Sequence, residues 1–383
     1  MTISGTMSLG HNEALWSLDL KCALVGAGVR YPQEVYDAVA DWARIEPPSN
    51  PYACNCLILP GEVAVHLHAN ESSRFSLRLE MQKTWLFEAE TPVAEVTFPT
   101  ASSYYQQKTS AGHPFGSIAV LEGRSTLAFF YLWSCEYIKA NETCSFCFQV
   151  MADQAGFNLP SPSMSEVAEI IRWSIENAGV REVQLTAGSL FSSPTECRRY
   201  ADLLRTIDQQ VGLDRIKSEI YCYLTAPKKP TDVDQILEAG AARVGHDLHV
   251  WNPSLHARFA PGHARHVTRA GQLRALEHVA EKFGPNKAFS AFVAGLEPLE
   301  DMIEGAEYLA SRGIVPAFSV WMPTPGSVTT DSKPPGLDYY RQARREFARL
   351  YKTYQLNPPG LPAGSHVSIC RDIFRNMDAI LAQ

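Results

Sequence analysis

LAFFYLWSCEYIKANETCSFCFQ, residues 127–149, decides how this chain is read. Residues 127–133 form an unbroken apolar and aromatic run of strand length, the pattern of a strand covered on both faces. Directly behind it come Cys135, Cys144 and Cys147, spaced C-x8-C-x2-C. Three thiols on one loop just past a strand are better explained by a metal or cluster site than by packing. Three protein ligands also leave one coordination position open, whereas a structural zinc site closes all four. C-x2-C alone is a weaker signal, since a zinc-ribbon fragment or scattered buried thiols leaves the same trace. The third cysteine, the placement after a strand and the aromatic Phe146 favour the site.

Downstream the same rhythm of strand, loop and helix repeats. Strand-like runs fall at 182–187, 218–225, 242–250, 288–295 and 315–322, with helix-like runs at 165–179, 194–210, 232–240, 270–284 and 298–313 between them. A last helix is expected at 337–354. Ser165 is a candidate N-cap, followed by the stripe Val167, Ile170, Ile171 and Ile175 and a stop at Gly179. Alternating βα units build a mostly parallel sheet with helices on its faces. The expected fold is therefore α/β, a partial (β/α)6 TIM-type barrel over 126–330, with function on the loops at the C-terminal ends of the strands.

Upstream the pattern differs. A helical stripe is expected within 32–44, and short alternating runs at 56–60, 62–69, 75–81, 84–90 and 94–100 read as a small antiparallel β unit. We therefore expect an N-terminal β-rich subdomain over 1–125 and a C-terminal helical extension over 331–383. His66 and His68 share one strand face, which reads most simply as a solvated polar face.

At these residues the sequence resembles the radical S-adenosylmethionine (radical SAM) superfamily. There, three cysteines after the first barrel strand hold a [4Fe–4S] cluster, usually spaced C-x3-C-x2-C with an aromatic before the third. Cys144-Ser145-Phe146-Cys147 matches the second half of that pattern, while the first gap is eight residues here. The resemblance implies Cys135, Cys144 and Cys147 as cluster ligands and S-adenosylmethionine as second cofactor. It also implies that the turn Ala187-Gly188-Ser189 meets the methionine end, although the family's acidic residue is absent from that turn. Asp247 and His249 take the places of the segment that holds the ribose or the methionine end, with residue types that differ from the family's. The stretches 255–273 and 288–301 are similar to the biotin synthase, tyrosine lyase and tryptophan lyase branch. That likeness implies an arginine for the SAM carboxylate (Arg265, with Arg258 and Arg269 as alternatives) and Gly295 beside the adenine. Each polar position also has a plainer reading. Asp247 and His249 close a strand, an arginine sits in solvent, Glu297 caps the following helix, and Trp321 and Met322 belong to the core.

The activity implied is reductive cleavage of S-adenosylmethionine to a 5′-deoxyadenosyl radical that takes hydrogen from a small-molecule substrate in cofactor or natural-product biosynthesis. The reductant implied is a flavodoxin or ferredoxin. Whether the enzyme is of lyase or transferase type stays open. Competing classes are a zinc or iron–sulfur binding protein without radical chemistry and a metal-independent barrel lyase. Of the nine cysteines, Cys22, Cys197 and Cys222 read as buried hydrophobes, Cys222 also as a group facing the barrel interior. Cys54 and Cys56 form a lone C-x-C, and Cys370 is a candidate for the barrel mouth. No second group of ligands is evident, so one cluster is expected.

Composition narrows the classes further. Hydrophobic residues at 45% and charged residues at 20% exclude a disordered or fibrous chain. A formal charge of −7 gives no bulk drive toward nucleic acid or an anionic membrane. The longest apolar run, 126–133, is too short to span a bilayer, and 1–16 shows no secretory pattern. The expected location is the cytoplasm, where thiols stay reduced.

Overall fold

The computed structural model describes residues 12–30, 32–38, 56–66, 70–98, 103–132, 135–147, 161–322, 333–359 and 368–383. The strands are β1 (Cys56–Leu59), β2 (Val63–His66), β3 (Phe75–Glu80), β4 (Lys83–Glu88), β5 (Thr91–Val96), β6 (Ala119–Glu122), β7 (Thr126–Leu132), β8 (Glu182–Ala187), β9 (Ile220–Tyr223), β10 (Arg243–Gly245), β11 (Ala288–Ala294) and β12 (Val315–Val320). Six of them, β7 to β12, run parallel and lie side by side in chain order. β6 adds an antiparallel edge through Ala119↔Phe129 and its neighbours. Among the described residues β6 and β12 do not pair with each other, so the barrel is open. The partial (β/α)6 architecture is thus present, and its sheet takes in a strand from before residue 126.

The helices are α1 (Asn12–Ala27), α2 (Gln33–Ala38), α3 (Glu136–Lys139), α4 (Met164–Asn177), α5 (Ser193–Gln210), α6 (Asp234–Glu238), α7 (Pro253–Phe259), α8 (Pro261–His266), α9 (Arg269–Phe283), α10 (Leu299–Ala310), α11 (Leu337–Tyr354), α12 (Cys370–Arg375) and α13 (Met377–Leu381). α4 buries Val167, Ala168, Ile170, Ile171 and Ser174, a stripe at helical spacing. Its N-cap is Ser163, not Ser165. The Ser163 hydroxyl accepts from Glu166 N at 3.2 Å, and the Glu166 carboxylate accepts from Ser163 N at 2.9 Å. A reciprocal box needs an acidic or amide residue three positions on, and Ser165 has Ala168 there.

Phe129, Leu185, Cys222, Val244, Phe289, Phe292 and Phe318 are wholly buried along the sheet. Each such side chain contributes about 1.5–3 kcal/mol of burial. β10 is short because its chain leaves the ladder after Gly245. It returns as one bridge, His249↔Phe292, with His249 N donating to Ala291 O at 3.0 Å. Gly245 has no room for a side chain, since a Cβ there would lie 2.3 Å from the Phe289 ring.

The upstream region carries the expected antiparallel strands in two small sheets, β1–β2 and β3–β4–β5. β5 begins at Thr91, three residues before the expected run, so that Thr91 faces Glu88 across the β4–β5 turn. Of the expected helix at 32–44, Gln33–Ala38 is helical and the remainder lies outside the described residues.

α1 was not legible in the sequence. Leu15, Leu18, Leu20, Cys22, Leu24 and Val25 are buried on several sides of it, so no single stripe marks it. It packs on α11 and β2. Lys21 is fully buried in α1, and its ammonium donates to Asp372 Oδ2 and Ser368 O, both at 2.8 Å. Beside it Arg371 donates to Glu182 Oε2 at 3.2 Å. The segment 368–383 is therefore fastened into the fold, not appended to it. No helix of the described residues is long and apolar enough to cross a membrane.

Candidate functional site

The C-terminal ends of β7 to β10 open onto one cavity of about 190 Å³. Its wall includes Cys135, Cys144 and Cys147 from the loop after β7, and Ala187, Gly188 and Ser189 from the turn after β8. Asp247, His249 and His263 complete it from beyond β10. Phe146 stands between the last two cysteines and packs on His249 at 4.9 Å between ring centroids. All three cysteines, Phe146, the 187–189 turn, Asp247 and His249 therefore meet in one place.

Local chemistry positions the cysteine loop. Cys135 is the N-cap of α3, and Glu136 N donates to Ser189 O at 2.9 Å, which ties the first cysteine to the turn after β8. Cys147 N donates to Cys144 O at 3.0 Å, a tight turn that brings those two thiols together. Ser145 N donates to Phe259 O at 2.8 Å and Gly262 N to Glu142 O at 3.1 Å, fastening the loop to α7 and α8. Gly262 is required there: a Cβ would lie 2.5 Å from the Tyr137 ring and 2.8 Å from Glu142 O. Tyr137 is buried and stacks on His266 at 5.4 Å and edge-on to His263 at 5.1 Å.

Of the eight described cysteines, Cys22, Cys56, Cys197, Cys222 and Cys370 are buried, and only the three of the loop are partly exposed. Burial pushes the Cys144 thiol well above its ordinary range, and the neighbouring Cys147 and Cys135 add to the effect. Negative charge gathered on thiolates side by side is stabilised by a cation among them. A donor set of clustered thiols on a partly open loop fits a soft metal or an iron–sulfur cluster.

Beyond β10, Asp247 Oδ1 accepts from Ala291 N at 2.9 Å, and burial raises its carboxyl to about 7. Burial lowers His263 to about 4 and His249 well below the ordinary imidazole value, so both rings are neutral at pH 7.

Other expected residues lie elsewhere. Arg265 does not line the cavity: its side chain is 74% exposed and its guanidinium pairs with the Glu142 carboxylate, which also binds His266. Of the alternatives, Arg258 lies over Phe259 and Arg269 over the Trp251 ring at 3.7 Å. Gly295 is also outside the wall. Its φ of +112° and the nearby Pro335 exclude any side chain, and its N–H donates to Tyr339 at 3.2 Å. Glu297 accepts from Trp251 N at 2.8 Å and Asn252 N at 2.9 Å, so it anchors the entry to α7 and does not cap the helix that follows it. Cys370 is buried against Phe318, with its Sγ 3.0 Å from Phe318 N, and does not line this cavity. Cys54, His68 and the rim at 323–327 lie outside the described residues, as does the side chain of His66.

Sequence reasoning missed His263 and Tyr137. His263 falls in LHARFAPGHARH at 255–266, where the arginines drew attention as carboxylate partners. The signal available was His256 and His263 flanking a proline between two short helical runs.

No family model matches the chain. The bacteriochlorophyllide c C-7(1)-hydroxylase of Chlorobaculum limnaeum is 25% identical over 323 residues, which span 80% of this chain and 79% of the hydroxylase. Among solved structures, methylornithine synthase (PylB) superposes with a TM-score of 0.47 at 15% identity over 70% of each chain. HydG, a maturase of the [FeFe]-hydrogenase, gives 0.42 at 12% identity, over 66% of this chain and 54% of HydG. Coproporphyrinogen III oxidase (HemN) from Escherichia coli, described as a radical SAM enzyme, gives 0.36 at 14% identity, over 60% of this chain and 52% of HemN.

Proposed function

We propose that this chain is a radical SAM enzyme, with Cys135, Cys144 and Cys147 holding a [4Fe–4S] cluster and the adjoining cavity taking S-adenosylmethionine. The observation that carries this reading is the partition of the cysteines: the three of the loop share one cavity at the strand ends, and the other five described are buried elsewhere. When bound, the cluster supplies the electron that cleaves S-adenosylmethionine to the radical which takes hydrogen from the substrate. The protein's part is to bind, orient and exclude water.

The small turn at Ala187-Gly188-Ser189 leaves its backbone open to a ligand at the methionine end. Asp247, fixed by Ala291 N, presents its remaining carboxylate edge for a hydroxyl pair such as the ribose diol. Phe146 and the neutral His249 give the thiol loop a wall without charge. The reductant is of the flavodoxin or ferredoxin class.

For the reaction we take the hydroxylase relative as the guide, so the class is oxidation at a C–H bond of a small molecule, with tetrapyrroles as the first substrates to try. This differs from the lyase or transferase types expected from sequence. The test is electron paramagnetic resonance on anaerobically reconstituted, dithionite-reduced protein with and without S-adenosylmethionine. A reduced [4Fe–4S] signal that shifts with S-adenosylmethionine and vanishes in the three Cys→Ala variants is expected, with 5′-deoxyadenosine release as the activity readout. A signal indifferent to S-adenosylmethionine, or no cluster at all, refutes the reading.

A further inference from the structure

Cys144, His249 and His263 each present one ligand atom, and these three atoms lie within 4.8 Å of one another. The backbone holds His249 in place, with φ of +66° between its bonds to Ala291 and Val293. His263 comes from α8 and meets the His249 ring edge-on at 5.1 Å. Neither imidazole has a hydrogen-bond partner among the described residues, and His263 Nδ1 is wholly buried with His263 only 9% exposed. An unpaired buried ring nitrogen such as His263 Nδ1 costs about 1–3 kcal/mol, and its place beside a second imidazole and a thiol calls for a ligand that all three can share.

We propose that Cys144, His249 and His263 form a divalent-metal site of the zinc class, occupied when the loop carries no iron–sulfur cluster. One thiolate and two neutral imidazoles are a donor set that suits Zn(II) or Co(II), and ideal tetrahedral bonding brings such donors to about 3.5 Å of one another. Small side-chain rotations close the present spacing to that value. Binding displaces the Cys144 thiol proton to solvent. The fourth position faces the cavity. The two occupancies exclude each other, because both claim the Cys144 thiolate. The site rests on geometry that stands whether or not the radical reading holds.

The experiment is anaerobic titration of the cluster-free full-length chain with Co(II). The readouts are thiolate-to-cobalt charge-transfer absorption and tetrahedral d–d bands, with Zn(II) displacing the cobalt. One equivalent is expected. His249→Ala and His263→Ala should each weaken binding by at least about 10–100-fold, since losing even a group that only supports a ligand costs that much. His263→Phe, which keeps a ring against Tyr137, should weaken it equally and so separates ligation from packing. Cys135→Ala and Cys147→Ala should bind cobalt like the parent. Histidine variants that bind like the parent, or loss of cobalt in Cys135→Ala and Cys147→Ala, would place the ion on the three thiols and overturn the proposal. Iron–sulfide reconstitution of the same variants separates the two readings: a parent that takes cobalt through the histidines but builds no cluster refutes the radical function alone.

Discussion

Replacing Gly245 with alanine should strike the fold and the cavity together. The added methyl would sit 2.3 Å from Phe289 Cε2 and 2.4 Å from Cζ, whereas ordinary contact begins at 3.4 Å, so the ring must retreat by 3.4 − 2.3 = 1.1 Å. It has nowhere to go. Phe289 is fully buried, and Tyr223 meets it edge-on at 4.7 Å between centroids. Tyr223 itself lines the cavity beside Asp247. Overpacking of this kind costs about 1–3 kcal/mol, and a rigid aromatic pair places the cost near the top of that range. About 3 kcal/mol is a factor of roughly 150 in the folded fraction. With a urea dependence near 3 kcal/mol/M, the unfolding midpoint of Gly245→Ala falls by about 1 M. Urea unfolding of the cluster-free protein reads this directly. Phe289→Leu in the same chain makes room, so the double variant should be less destabilised than the sum of the two singles. A midpoint within about 0.2 M of the parent, or strict additivity in the double variant, would refute the claim that the ring blocks this position.

Three further outcomes are expected. Gly262→Ala forces the Tyr137 ring and Glu142 O apart from α8, so iron retained after reconstitution should fall several-fold while the fold loses only about 1–3 kcal/mol; full iron content would show that the loop does not depend on this contact. Glu196 is held by burial at about 8 against an ordinary 4.5, so its proton is kept on folding and lost on unfolding between those values. That contribution is complete below pH 4.5 and disappears as pH rises through 8, so Glu196→Gln should gain about 3–5 kcal/mol on the parent between pH 5 and pH 8.5, and equal stability differences at the two pH values would rule the shift out. Lys21→Met leaves Asp372 buried without its cation and should cost about 3–5 kcal/mol, with much of the loss recovered in Lys21→Met/Asp372→Leu; a double variant no better than the single would mean the pair is not the cause.

Most of strands β7 to β12 were legible as short apolar, β-branched or aromatic runs between turn residues, and Glu182–Ala187 and Leu337–Tyr354 have the bounds read from the sequence, but only Arg243–Gly245 of the strand expected at 242–250 is strand. The thiol loop was legible because its spacing is local. What was not legible depends on distant partners. β6 reads as one more upstream run until Ala119 is seen opposite Phe129. Arg265 was expected to meet an anion, but Glu142, on the other side of α8's docking contact and far away in the chain, takes it first. His263 enters the cavity only because two short helices turn between β10 and β11, a path that no periodicity announces. Lys21 lies in a helix buried all round, where a lysine argues against burial unless its partner is known.

That partner is made late. Ser368 follows Lys21 by 347 residues, and at ribosomal rates of about 5–20 residues per second the ammonium waits roughly 20–70 s for the carbonyl and carboxylate that receive it. Glu182 waits in the same way for Arg371, 189 residues on. During synthesis the parallel strands can be present in full while two ionised groups still hold water at the places where the fold must be dry. The growing chain thus has an electrostatic brake on premature consolidation, released when residues 368–372 arrive. Nascent chains that hold this segment inside the ribosome should be open to protease at α1, and chains in which it has emerged should be closed.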